Sequence, residues 1–198
     1  MTISETSLRT RTRSTAEAQR VKIISHAVPV FARAGYRATP VTEIATAAGV
    51  SPAYIFRLFP GKVGLFVAAV DHCYTLVREA LLEGSKTAPD TSPEAVLAAM
   101  SDAYVDLIRD RDLIMLQVHA QSSCDVPEIR EAVQRGIAAM ITMVSETSRA
   151  APADIQRFIA YGQLCHLIVL ADLPSIDEPW AHTLSDGIRH HNESLVQP

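Results

Sequence analysis

Two helix-start signals, Thr39-Pro40 and Ser51-Pro52, flank the glycine turn Ala48-Gly49-Val50, and this arrangement constrains the chain more than any other feature. A Ser or Thr side chain accepts from a backbone N–H of the first helical turn, and proline is pre-organised for the first helical position. The spacing predicts a short helix from Pro40 to Ala48, capped by Thr39, and a second that starts at Ser51-Pro52 and runs through Ala53, Tyr54, Ile55, Phe56 and Arg57. So tight a turn does not allow an antiparallel hairpin; the helices cross steeply, as in a helix-turn-helix. Ala45 and Gly49 permit close approach, and Ile44, Val50, Ile55 and Phe59 supply a small core behind the pair. With those residues inside, Ser51, Pro52, Ala53, Tyr54, Arg57 and Lys62 face outward near a helix N-terminus, where the dipole and free N–H groups favour phosphate.

Helical periodicity continues on both sides. Upstream, Val21, Ile24, Ala27, Val28 and Phe31 form a stripe from Glu17 to a C-cap at Gly35. Pro29 within it predicts a bend around Ser25 and His26, with a break as the alternative. Residues 1–14 hold little to bury and are expected to form a mobile basic arm. Downstream, a long helix from Lys62 to near Gly84 buries Leu65, Phe66, Ala69, Val70, Cys73, Val77 and Leu81. A polar linker at 85–92 ends in Ser92-Pro93, and further helices are expected near 93–109, 111–121, 126–149, 153–171 and 178–193, with a capping box at Asp125 to Glu128. No segment alternates with period two, so the fold is read as all-α. The expected division is an arm at 1–14, a three-helix helix-turn-helix domain at 15–62 and a larger helical domain at 63–198.

The net charge of −4 argues against a nucleic-acid partner until its distribution is considered. Residues 1–62 carry nine basic and three acidic groups, a net +6, whereas the remainder carries nine basic and nineteen acidic groups, a net −10. Counterion release rewards local charge, so a basic head on an acidic body suits a protein that touches phosphates with one end. No stretch reaches the roughly 18 apolar residues of a membrane span, and the first twenty residues lack a signal-peptide run. A cytoplasmic location without membrane partners is therefore expected. Cys73, Cys124 and Cys165 are far apart and form no CxxC pair, so buried reduced thiols are expected.

The ordered set Phe31, Gly35, Tyr36, Thr42, Ile44, Ala45, Ala48-Gly49-Val50-Ser51, Phe59, Lys62 and Leu65 resembles the DNA-binding module of the TetR family of regulators. The match covers residues 20–70. It implies a second short helix lying in the major groove of double-stranded operator DNA, a symmetric homodimer and a C-terminal ligand domain. Carried over by position, Thr42 and Lys62 look like phosphate contacts, and Pro52, Ala53, Tyr54 and Arg57 look like the groove-facing surface. The chain departs from the family pattern at Phe56, where Tyr is usual, at Leu58, where His is frequent, and at Pro40, where a capping Ser or Thr is common. Phe56 cannot donate a hydrogen bond to a phosphate.

Two further expectations concern the larger domain. Met100, Tyr104, Met115, His119, Met140 and Met143 would suit a mostly apolar pocket for a small lipophilic or aromatic effector, with Tyr104 and His119 as its polar contacts. Phe158, Tyr161, Leu164, Cys165 and Ile168 exceed what one buried stripe requires, and Gly162 permits close approach, so the last two helices are expected to build the four-helix bundle between subunits that the resemblance implies. There is no HExxH, GxSxG or phosphate loop, and His72-Cys73 and Cys165-His166 are adjacent pairs pointing apart on a helix. Catalytic residues, metal ligands and a cofactor are not expected. The reading is a repressor released from a palindromic operator by its effector. The alternatives are a DNA-binding regulator controlled by a partner protein and, further off, a helical enzyme.

Overall fold

A computed structural model of the chain describes residues 3–185, with side chains from residue 16 onward. These residues are helical throughout, with no strand: α1 (Ile3–Ala38), α2 (Val41–Ala48), α3 (Pro52–Leu58), α4 (Gly61–Ser85), α5 (Pro93–Leu107), α6 (Arg111–Ser122), α7 (Pro127–Ser148), α8 (Pro152–Leu170) and α9 (Pro179–Ser185), with a 3-10 turn at Leu173–Ser175. The helix expected to reach residue 193 is seen to Ser185; residues 186–198, including His190-His191, lie outside the described part. No single described helix is long and apolar enough to cross a membrane.

Helix α1 starts at Ile3 rather than at Glu17, since no Gly or Pro interrupts residues 3–28. It continues through Pro29, and its non-helical backbone is at Gly35 (φ 73, ψ 178), the expected stop. Thr39 does not cap α2. Its hydroxyl is fully buried and donates to Gly35 O at 2.7 Å, a carbonyl near the end of α1 that also accepts from Thr39 N at 3.3 Å, while Pro40 takes the N-cap position without a side-chain bond. Asp125, read as the cap of α7, turns its carboxylate to Arg37, and α7 begins at Pro127. The Ser92-Pro93 signal acts as its sequence suggests, Ser92 Oγ accepting from Ala95 N at 3.3 Å.

The chain forms two compact units, and α4, α6 and α7 each contribute residues to both. The first comprises the chain up to His72 together with Leu116–Val133. Its core holds Ile23, Ala27, Phe31, Ile44, Ile55, Phe59, Leu65 and Phe66, with Phe31 and Phe66 edge to face at 4.8 Å. Val21, expected on the buried stripe, is 55% exposed, because it lies two residues and about 200° around the helix from Ile23. His119 of α6 packs its ring against Gly35, where an added Cβ would stand 2.8 Å from Nδ1, and its Nε2 lies 3.2 Å from Ala32 O. Gly35 therefore answers two demands at once, a positive φ and a close neighbour.

Among the described residues, the second unit comprises Cys73–Met115 and those from Gln134 to Ser185. Val77 and Leu81 of α4, Val96 and Met100 of α5, Val144 of α7 and Ile155 of α8 form its core. Cys73 and Cys165 are buried thiols, and burial, helped by the charge of Asp110, pushes Cys73 up to about 12. Gly136 of α7 faces the Tyr74 ring, where a Cβ would come within 2.3 Å of a ring carbon. Gly162 of α8 has only Tyr104 Cε1 near its missing Cβ, at 3.8 Å. Gly136→Ala is therefore expected to destabilise the protein by about 1–3 kcal/mol, whereas Gly162→Ala, an unstrained gain in helix propensity, is neutral or stabilising by up to about 1 kcal/mol. Urea unfolding of both variants checks this; equal effects contradict the packing described.

Candidate nucleic-acid interface

The α2–α3 pair is held from behind by apolar packing and at its ends by backbone geometry. Ile44, Ala45, Ala48, Ile55 and Phe59 are buried, as the spacing requires, whereas Val50 is half-buried. Gly49 ends α2 in the left-handed region (φ 68, ψ 38) and directs the chain into α3. Ser51 caps α3, its Oγ accepting from Tyr54 N at 3.2 Å. Arg20, which the sequence pattern did not single out, locks the far end. Its guanidinium lies 4.4 Å from the Phe59 ring centroid and donates to Leu58 O, the last carbonyl of α3. Arg33 of α1 joins Glu43 of α2 at 2.9 Å.

The surface of this pair carries the residues expected there. Thr42, Ser51, Ala53, Phe56 and Arg57 are exposed, and Pro52 and Tyr54 are half-buried. The Arg57 guanidinium stacks on the Tyr54 ring, 4.6 Å from its centroid. Lys62, at the start of α4, donates to Arg37 O at 2.9 Å and lies 5.2 Å from the Tyr36 ring centroid. Partial burial lowers its pKa. An ammonium has three donors, so this bond leaves two for a phosphate while fixing where the charge sits.

In the second unit, Met100 is buried in the core, and Tyr104, Met140 and Met143 pack against it. Met115 is half-buried in the same unit, and His119 belongs to the first unit, against α1. The histidine that meets Tyr104 is His166 of α8, with Nε2 at 2.5 Å from the Tyr104 hydroxyl. His166 is only 4% exposed, and its Nδ1 is buried without a hydrogen-bond partner. Burial pulls its pKa down to about 4, so the ring is neutral at pH 7. Sequence reasoning assigned His166 no site role, since only the packing of α5 on α8 brings Tyr104 to it. Among the described residues, no three His, Cys, Asp or Glu side chains are grouped to hold a metal.

The residues offered for dimerisation divide. Tyr161 is 51% exposed and Leu164 partly so, Phe158 packs against the core, and Cys165 and Ile168 point into the protomer. Leu167, further along α8, and Trp180 of α9 are each 52% exposed and were not foreseen.

Two short helices joined by a left-handed glycine, buried on their inner face and with an exposed, cation-bearing second helix, have the form of a helix-turn-helix DNA-binding module. Residues 23–69 match the profile of bacterial regulatory proteins of the tetR family. An uncharacterized HTH-type transcriptional regulator of Bacillus subtilis (strain 168), YuxN, is 26% identical over 113 residues, 57% of this chain and 38% of the relative's length. The fatty acid degradation regulator FadR of Bacillus halodurans shares the fold with a TM-score of 0.65 at 20% identity, over 87% of this chain and 97% of that one. FadR of Bacillus subtilis, solved in complex with stearoyl-CoA, gives 0.62 at 19% identity, over 85% and 99%. Through residues 23–69 the chain is similar to bacterial regulatory proteins of the tetR family, and its fold is shared with the solved regulators named above.

His166 generates a pH prediction. Its pKa is depressed in the folded state, so between about 6.5 and 4 the unfolded chain binds the proton and the folded chain does not. The stability that neutral His166 permits is present above pH 6.5 and falls as pH drops toward 4, by up to about 3 kcal/mol. His166→Gln is expected to flatten this part of the stability profile, measured by urea unfolding from pH 7 to pH 4.5. An unchanged slope in the variant contradicts it.

Proposed function

We propose that the chain is a dimeric repressor that binds a near-palindromic operator through α2 and α3 and is released by a small, mostly apolar effector held in its C-terminal unit. The observation that carries the reading is the outward face of α3, where Ala53, Phe56 and Arg57 are exposed while Ile55 and Phe59 anchor the helix from behind. In a helix-turn-helix the second helix lies in the major groove, and a symmetric dimer presents two such helices to two half-sites. Thr42 and Lys62 serve as phosphate contacts; Ser51, Pro52, Ala53, Tyr54 and Arg57 form the groove-facing surface. Repression follows from occupancy, because a dimer seated on a promoter excludes polymerase.

Dimerisation is assigned to α8 and α9 through Tyr161, Leu164, Leu167 and Trp180, whose exposure on adjoining elements suits a bundle between subunits. The effector site is assigned to the Met100, Met140 and Met143 cluster, with the Tyr104–His166 pair as its polar end. The stearoyl-CoA complex of a fold neighbour supports an apolar effector class. Effector binding lowers operator affinity by coupling on the order of 1–3 kcal/mol.

Selection from random duplexes is expected to return a palindromic site. On that site, Arg57→Ala weakens binding by about 1–3 kcal/mol at one base position, and Lys62→Ala weakens all sequences alike and reduces the salt slope by about one. Binding indifferent to salt contradicts the reading. Leu167→Glu is expected to shift the protein from dimer to monomer by light scattering at micromolar concentration while leaving its helical content intact; a variant that stays dimeric removes α8 from the interface.

A further inference from the structure

The exposed face of α3 is chemically divided. With Ile55 as the inward direction, Ala53 and Arg57 point within about 20° of straight outward, Pro52 and Phe56 turn to one flank and Tyr54 to the other. One flank therefore carries the stacked Tyr54–Arg57 pair, with its phenol and guanidinium. The other is Pro52, Ala53 and Phe56, which present no side-chain hydrogen-bond donor or acceptor. Phe56 is 52% exposed, so its ring lies at the outward surface of α3 and not in the core. The core behind α3 is already filled by Ile55 and Phe59.

We propose that Phe56, with Ala53 and Pro52, is a specificity-determining contact that reads the 5-methyl group of a thymine in each operator half-site. The proposal rests on the operator-binding reading above and adds to it the chemistry of one base. In the major groove, thymine alone among the four bases offers an apolar group at the base edge, and small and aromatic side chains are its partners. Ala53 is short enough to let the base edge approach the helix, and Phe56, one turn further along, covers the methyl from the side. The Tyr54–Arg57 flank then faces a neighbouring base, which it addresses by hydrogen bonding.

The experiment uses the full chain and a duplex selected from a random pool, with each thymine of the half-sites replaced in turn by deoxyuridine, which pairs identically and lacks only the methyl. Affinity is measured by fluorescence anisotropy at one fixed salt concentration. At one thymine position uracil is expected to weaken wild-type binding about fourfold per half-site, or about sixteenfold when both are replaced. Phe56→Ala is expected to bind the thymine and uracil duplexes equally, while Phe56→Tyr, which keeps the ring, retains the preference. Uracil tolerated at every position by the wild type overturns the proposal. So does Phe56→Ala that loses affinity but keeps the full thymine preference, which would place the ring on the sugar-phosphate backbone. A chain that selects no duplex overturns the operator reading itself, an outcome distinct from binding that ignores the methyl.

Discussion

Everything the N-terminal module presents to its surroundings depends on a few buried side chains between α1, α2 and α3. Ile44, Ala45 and Ala48 from α2 meet Ile55 and Phe59 from and just beyond α3, and α1 closes the assembly with Ile23, Ala27 and Phe31. Helices of eight and seven residues have little intrinsic stability, so tertiary burial must hold them. That burial also fixes rotation: once Ile55 points inward, Ala53 and Arg57 point outward by helical geometry alone. Arg20 adds an end stop by bonding to the last carbonyl of α3 and stacking on Phe59. The outer face is therefore a consequence of the inner one.

The two units solve different problems. The first needs a rigid surface, and its polar links, Arg33 with Glu43, Arg37 with Asp125, Lys62 with Arg37 O and His119 at Ala32 O, join segments distant in sequence. The second keeps one neutral polar pair, Tyr104 and His166, among methionines and aliphatic side chains. The buried Nδ1 of His166 has no hydrogen-bond partner, a cost that the apolar packing around the pair has to offset.

Much of the fold was legible because local signals set it. Gly49 and Ser51-Pro52 mark the turn, Ser92-Pro93 opens α5, and the stripe from Leu65 to Leu81 in α4 is buried at every position named. The misreadings came where a residue had two uses. Thr39 and Asp125 read as caps in sequence, yet a fully buried hydroxyl turned back to the Gly35 carbonyl of α1 and a carboxylate found Arg37 across 88 positions of chain. His119 and His166 look alike in sequence; one packs on Gly35 and the other meets Tyr104, because long-range packing chooses the partner. On α8, helical periodicity named an apolar set but not which members face outward, so Cys165 and Ile168 turned inside while Leu167 stayed out.

The central claim is that the inner packing of the first unit presents the outer face of α3 to DNA. Amide hydrogen exchange of the full chain with and without a selected duplex measures this directly. The account predicts slowed exchange on binding across residues 39–62, with α5 and the body of α7 little changed. Protection confined to the second unit, with residues 51–58 exchanging as in the free protein, would contradict it.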